Sequence, residues 1–422
     1  MRTLLLVSLL LASCGNSLVD HLGVTTAQTS CPTESVDACG TTCAQCPVAP
    51  ENGTAECLNH ACSYRCSAPY LKCEEGCCLA SAVAAGGDTS CALLQGAVRC
   101  WGAQLGSNAL TSPAPVQIGG LASVSALAVG RRHACAITAG SVRCWGDNEV
   151  GQLGQQTPAS SAIPLDAVAG VSGAIALALG DRHSCARTGS GVVCWGANEL
   201  GQLGDGTQAP RTGVIHVAGT SDATAIAAGL AHTCAVLGGG VSCWGAGGSG
   251  QIGNGSMNAA EPSPAAVKFS SGSPVASAVA AGHNHSCALL SSSLACWGQA
   301  GFGQLGDGST SDRDQARQVS LSNPTAIAAG RAHSCAVGGG AQDVWCWGAN
   351  DSGQLGTGDN VAQPLPFEIL LSQVNSLSSG ADHVCALQSS GAILCWGRND
   401  KGQTGSGSPS ASVLTPTAVS GR

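Results

Sequence analysis

Cysteine and histidine are the residues of this chain whose types and spacing could do chemistry. Cysteines recur in pairs: Cys91 with Cys100, Cys135 with Cys144, Cys185 with Cys194, Cys234 with Cys243, Cys287 with Cys296, Cys335 with Cys346 and Cys385 with Cys395. Two residues ahead of six of these pairs stands a histidine: His133, His183, His232, His285, His333 and His383. One chemistry is a cross-strand disulfide. A spacing of nine puts both cysteines opposite each other on a hairpin with an even loop, side chains on one face. The sixth pair is eleven apart, which keeps that parity, and the seventh is ten apart, which demands an odd loop or a bulge near Ser390 and Gly391. The rival chemistry is a His-Cys-Cys zinc set, with His133 and Cys135 on one strand face and Cys144 across from them. The first repeat speaks for the disulfide, because it keeps Cys91 and Cys100 but has Thr89 where the histidine would be.

The histidines invite a proton-carrier reading. Six equal copies point instead to a structural part, one imidazole per repeat tying a turn backbone, since catalysis draws on one asymmetric cluster. Neither a nucleophile motif, a phosphate loop nor an isolated carboxylate pair is present in the sequence. Asp205-Gly206-Thr207 and Asp307-Gly308-Ser309 offer too few oxygens for calcium. The reading therefore assigns no catalytic residue, metal or cofactor.

The elements that must position these residues follow from the repeat itself. Cys-Trp-Gly occurs seven times, beginning at Cys100, Cys144, Cys194, Cys243, Cys296, Cys346 and Cys395, at intervals of 44 to 53 residues. Such a period means a repeat architecture. Each unit opens with a small-residue strand such as Ala225-Ile226-Ala227-Ala228-Gly229 and passes through the His-x-Cys strand. A tight turn leads to the Cys-Trp-Gly strand, and a polar loop leads to a Pro-containing apolar stretch such as Pro264-Ala265-Ala266-Val267. Sixty glycines and 10% charged residues suit short strands and tight turns. Seven four-stranded units with one tryptophan each predict an all-β, seven-bladed β-propeller over residues 80–422. The tryptophans are expected to pack between blades; Trp345 has no counterpart in other repeats.

Gly-x-x-His-x-Cys-Ala, Cys-Trp-Gly-x-Asn-x-x-Gly-Gln-Leu-Gly and the Pro-x-x-Val strand resemble the repeats of the regulator of chromosome condensation family. The resemblance covers about 340 of the 422 residues and implies the same seven-bladed propeller. The cysteine pair departs from the nuclear members. The bacterial secreted members of the fold, including one that inhibits β-lactamases, are the nearer analogy, so nucleotide-exchange activity is not carried over.

Twenty-five cysteines indicate an oxidising compartment. Met1-Arg2 followed by the apolar run Leu4 to Leu11 reads as a signal peptide over 1–13, and Leu11-Ala12-Ser13-Cys14 resembles the lipobox of a bacterial lipoprotein. That resemblance implies a lipid on Cys14 and, from Gly15 behind it, an outer-membrane or cell-surface destination. Residues 14–30 read as a tether. Residues 31–79 hold ten cysteines and read as a small disulfide-rich module, too short to be stable on apolar burial alone. A metal reading of Cys43-x-x-Cys46 with His60 would require reduced thiols.

The net charge of −8 argues against nucleic acid as a partner. The hairpin turns at one end of the units are bland, as in Gly238-Gly239-Gly240 and Ser291-Ser292-Ser293. At the other end, the Gly-x-x-His turn and the Trp-Gly loop bring Arg131, Arg132, Arg182, His283, Arg331, Glu149, Glu199 and Phe302 to one face, the candidate binding face. The expected function is a monomeric, non-catalytic binding scaffold for a protein or glycan. The alternative is a hydrolase or lyase acting on polysaccharide at the central channel. For closure of the ring, the terminal strand around Thr415-Pro416-Thr417 is expected to complete the blade begun near Ser81.

Overall fold

The computed structural model describes residues 49–421 apart from 59–60, 74–75, 107–110, 271 and 273. Cys14, Cys31, Cys39, Cys43, Cys46 and His60, and with them the signal and tether, lie outside the described residues. Seven four-stranded antiparallel sheets follow one another in chain order. The first contains Ala82–Gly86, Thr89–Leu94, Ala97–Ala103 and Thr111–Gln117; the last contains Val374–Ser379, His383–Gln388, Ile393–Arg398 and Ser412–Ala418. Every sheet is a blade whose first strand lines the axis and whose fourth lies outermost.

The axial strands are rich in Ala and Gly because seven of them must converge at close quarters. The second and third strands are buried on both faces, as in the six-residue runs Thr89–Leu94 and Gly191–Gly196. All seven repeat tryptophans are among the largest fully buried side chains. Each packs in a cluster with the disulfide strands of the preceding blade, as Trp195 does with Cys135 and Cys144. At about 25 cal/mol per Å² and 150–250 Å² per aromatic ring, each tryptophan brings roughly 4–6 kcal/mol of gross burial to a seam between blades.

All seven cysteine pairs face each other across the central hairpins as disulfides, with Cα atoms 4.0–4.1 Å apart. Most of these hairpins turn in two residues, as at Ala139-Gly140, both at positive φ. The ten-residue spacing of Cys385 and Cys395 is absorbed by three loop residues between Gln388 and Ala392, with Gly391 at φ 82°. That odd loop keeps the two cysteines in direct register.

Closure of the ring differs from the sequence expectation. Ser412–Ala418 pairs with Ile393–Arg398 inside the seventh blade, and the first blade is complete with its own four strands. No strand is exchanged: the seam between the seventh and first blades is crossed by the side chains of His383 and Ser90 and is also covered by a further segment. The covering comes from the disulfide-rich segment. Two short hairpins, Gly53–Leu58 with Ala61–Cys66 and Leu71–Cys73 with Gly76–Cys78, precede the first blade. Disulfides join Cys66 to Cys77 and Cys73 to Cys78, and Cys57 and Cys62 are disulfide-bonded as well. Leu71, Cys73, Cys78 and Ala80 form one buried cluster with Leu94 and Trp101 of the first blade and Leu387, Ile393 and Val419 of the last. The amide of Cys66 donates to the carbonyl of Gly421 at 3.0 Å, so the segment straps the chain's end to its beginning.

Leu71→Ala should therefore lower the stability of the whole ring by about 2–5 kcal/mol, the cost of emptying a core leucine site. Calorimetry would show one cooperative transition moved down in temperature. A propeller transition left in place would mean that the strap is an independent module.

Candidate functional site

The histidines sit at the seams rather than on their own turns. Nε2 of His133 is 2.8 Å from Ser184 Oγ of the next blade, and the same link joins His183 to Thr233, His232 to Ser286, His285 to Ser334 and His383 to Ser90. Each hydroxyl in turn donates to the backbone carbonyl of the glutamine in Gly-Gln-Leu-Gly or its variants: Gln152, Gln202, Gln251, Gln304 and Gln403. The hydroxyl proton is thus spent, so the imidazole must be the donor through Nε2–H. The same glutamine carbonyls of residues 152, 202, 251 and 304, and that of Gln354, accept the indole N–H of the next blade's tryptophan at 2.9–3.0 Å. One blade contributes His and Gln to each seam and the next contributes hydroxyl and Trp. The turn backbone is bonded by the histidine carbonyl instead, as in Gly180 N–H to His183 O, which corrects the sequence reading of the imidazole.

Two departures follow from the pairing. The first blade has Thr89 in place of His, and the residue it faces in the second blade is Ala134 rather than a hydroxyl; Thr89 Oγ1 donates to Ala103 O instead. Between the sixth and seventh blades His333 remains but Val384 replaces the hydroxyl, and His333 Nε2 is buried without a partner. The recurring spacing to glycine also has a steric cause. A Cβ on Gly180 or Gly229 would collide with Cε1 of the imidazole three residues on.

Burial pushes the six imidazoles down to about 3, or about 4 for His183, so they stay neutral in the fold. Their cysteine neighbours are bridged, leaving no thiolate for zinc at these positions. The Asp-Gly loops are self-satisfied as well: Asp205 takes Thr207 N and Arg211 Nε, and Asp307 takes Ser309 N and Arg313 Nε. Trp345, half-buried, lies opposite Ala336 and Glu368 in the sixth blade.

What the relay positions is the loop face. The residue after six of the seven axial glycines is locked by a backbone bond to the next blade: Arg131 N to Gly180 O, Asp181 to Leu230, Leu230 to His283, His283 to Gly330, Arg331 to Ala381 and Ala381 to Gly87. These side chains stand around the mouth of the axial channel. The candidate residues separate into groups. Arg132 pairs with Asp147 at 3.0 Å and Glu149 at 3.8 Å, and Glu149 also meets Arg182 at 3.8 Å, a network over the second and third blades. Arg331 holds Asp382 at 2.7 Å, Asp382 reaches Arg398, and Arg398 holds Asp400 at 2.9 Å. Arg131, His283 and Arg331 line one depression at the axis, together with Arg132, Arg398, Asp88, Asp351 and Asp382. Glu199 and Phe302 are exposed on outlying loop tips. Asp382, in its Gly-x-x-His turn, belongs to this face by sequence as well; sequence reasoning missed Asp88, whose turn ends in Thr89 instead of histidine. Burial raises the Asp88 carboxyl pKa, and Gln403 Nε2 donates to it.

Residues 141–422 match the family described as RCC1-like domain, and residues 124–152 match the regulator of chromosome condensation (RCC1) repeat. No curated protein matches the chain. Among solved structures, human WBSCR16 is 22% identical over 73% of this chain and 85% of its own, with a TM-score of 0.65. Yeast RCC1 (Prp20), solved bound to Kap60, is 22% identical over 81% of this chain and 85% of its own, with a TM-score of 0.67. Prp20p from Saccharomyces cerevisiae, described with its binding to Gsp1p and histones, is 23% identical over 81% and 87%, with a TM-score of 0.66. At these identities the likeness is one of fold.

The seam chemistry makes two outcomes measurable. Ser184→Ala, which strands His133 Nε2–H and one lone pair of Gln152, should cost about 1–3 kcal/mol, whereas Val384→Thr, which restores the hydroxyl that Thr233 supplies elsewhere, should gain about 1 kcal/mol. Urea unfolding of both variants decides it; a Val384→Thr chain less stable than the parent would show that His333 Nε2–H needs no acceptor. The second outcome is a pH dependence. The imidazole pKa values lie below the ordinary 6.5 in the fold, so the histidines favour folding fully above pH 6.5, and that contribution is lost as pH falls toward 4. Unfolding at pH 5 should take up to about six protons, read from the slope of stability against pH. A flat profile from pH 7 to 5 would contradict the buried neutral state.

Proposed function

The chain belongs to the RCC1-like domain family, and from that premise we propose that it is a non-catalytic binding scaffold whose loop face receives a protein partner. The carrying observation is the asymmetry of that face on a scaffold that is otherwise repeated seven times. Backbone bonds of one kind hold this ring from blade to blade, while the side chains presented above them differ: Arg131, Asp181, Leu230, His283, Arg331. Rigid support beneath varied loops is the arrangement of a recognition surface. The solved family relatives named with partners have proteins as those partners, Kap60 in one case and Gsp1p and histones in another.

The polysaccharide-hydrolase alternative fares less well on size. The axial cavity holds about 150 Å³, where small-molecule sites run to roughly 300–1,000 Å³. Its lining includes one acid, Asp181, where glycoside hydrolysis normally uses two carboxylates; the depression at its mouth, of about 580 Å³, adds Asp88, Asp351 and Asp382, of which Asp382 and Asp351 are engaged by Arg331.

The place of action we propose is the cell surface, with the chain exported and tethered by lipid on Cys14. The support is the run Leu11-Ala12-Ser13-Cys14 and the disulfides of the propeller, which belong to an oxidising compartment. Two measurements test the whole. Metabolic lipid labelling should be lost in Cys14→Ser; label retained there refutes the anchor. Photo-crosslinking residues placed at Leu200 and Phe302 on intact cells should capture a protein, and those at Ser190 and Ser292 on the opposite face should not. Equal capture from both faces would refute the loop face as the binding surface.

A further inference from the structure

We infer that the mouth of the axial channel binds a single carboxylate side chain of the protein partner, held by Arg131, His283 and Arg331. The inference rests on the scaffold reading and names the chemistry at its centre.

Seven equivalent positions surround the mouth, and they are unequally furnished. Gly87, Leu230 and Ala381 present no polar side chain; Arg131, His283 and Arg331 present nitrogen; Asp181 is the sole acid in the ring. A guanidinium has five N–H donors. Arg131 spends one nitrogen on Asp181, at 3.5 Å, and its side chain is 52% exposed. Arg331 directs Nε and Nη2 at the same oxygen of Asp382, at 2.8 and 2.7 Å, with Asp351 further off at 3.9 Å. Both guanidinium groups therefore keep donor capacity for an oxyanion.

His283 sits within the field of both arginines. Burial, then Arg131 and Arg331, pull its pKa down to about 4, and Asp382 and Asp181 only partly oppose them. The remaining charged groups of the depression are Arg132 and Arg398 against Asp88 and Asp351, and Arg132 is engaged by Asp147. Arg131 and Arg331 are thus balanced by Asp181 and Asp382. A bound monoanion adds one negative charge beside His283, which can be matched by one proton on the imidazole. A dianionic phosphate would leave a charge unmatched, so the balance favours a carboxylate.

The space sets the size of the ligand. Below the mouth the walls are Ala85, Val129, Leu179, Ala228, Ala281 and Ala329, around the cavity of about 150 Å³. At the same level the seventh blade has Ser379, whose hydroxyl has no partner in the protein. A side chain fits there, with one further donor at hand, and the apolar walls stop its charge at the level of the arginines.

The test uses the full chain and two probes, acetyl-Gly-Asp-Gly-amide and its Asn counterpart, followed by calorimetry and by the imidazole NMR signals of His283. The Asp peptide should bind in the millimolar range, raise the His283 pKa by about two units from its value of about 4, and bind about fourfold tighter at pH 5.5 than at 7.5. Arg131→Gln combined with Arg331→Gln should weaken it at least tenfold, and Arg317→Gln on an outer strand should leave it unchanged. His283→Ala should abolish the pH dependence. Equal binding of the Asp and Asn peptides, full binding by the double variant, or binding of inorganic phosphate in place of the Asp peptide would overturn the inference. Crosslinks at Leu200 and Phe302 that persist unweakened in the double variant would overturn it while leaving the scaffold reading intact; loss of all crosslinks in the parent chain would remove the scaffold itself.

Discussion

The structure depends on one hydroxyl shared between blades. Ser184 and its equivalents accept from an imidazole and donate to a glutamine carbonyl, both from the preceding repeat, in a site closed to water. Leaving such groups unpaired in the interior costs about 1–3 kcal/mol each, so a blade displaced from its neighbour strands a donor and an acceptor together. The indole on the same carbonyl adds apolar burial to that directionality. Apolar packing alone would permit blades to slide; the shared hydroxyl permits one register. The loop face inherits this precision, since the Gly-x-x-His turns and the Gly-Gln-Leu-Gly loops are the very segments the seam holds.

Much of this was legible in the residues. The Cys-Trp-Gly period gave the blades, and the parity of nine, eleven and ten set out what each hairpin would need, down to the odd loop at Gly391. The histidines showed their repetition but not their target. Their partner lies about 50 residues away, as with His133 and Ser184, and the polar residue one place after four of the six histidines carries no mark of facing the previous repeat. The signal that could have found it is the exchange at Thr89 and Ala134, where donor and acceptor vanish from the same seam. The arginines of the candidate face, and with them Asp181 and Asp382, were visible because they stand in Gly-x-x-His turns; Asp88 was not, because its turn, Gly86-Gly87-Asp88-Thr89, lacks the histidine that marks the others.

Closure shows most plainly where the sequence was silent. A terminal strand matched in pattern to every fourth strand could complete either its own blade or the first, and nothing local decides between them. The strap decides it. Leu71, Cys78 and Ala80 occupy the underside of the seam between first and last blades, with Trp101 and Val419. A segment that reads by composition as a separate disulfide knot thereby holds together the two ends of the ring.

The division of each seam between two repeats bears on how such a chain can grow. The complete repeats, such as those of His183 and His232, carry histidine and glutamine for the seam ahead, and hydroxyl and tryptophan for the seam behind. A copied repeat inserted in tandem arrives with both halves and finds complementary halves on either side, so gene duplication creates finished junctions without further substitution. Three repeats depart from that interchangeable pattern: the first lacks the histidine, and the second and the last have Ala134 and Val384 in place of the hydroxyl; the first and the last are the neighbours the strap joins.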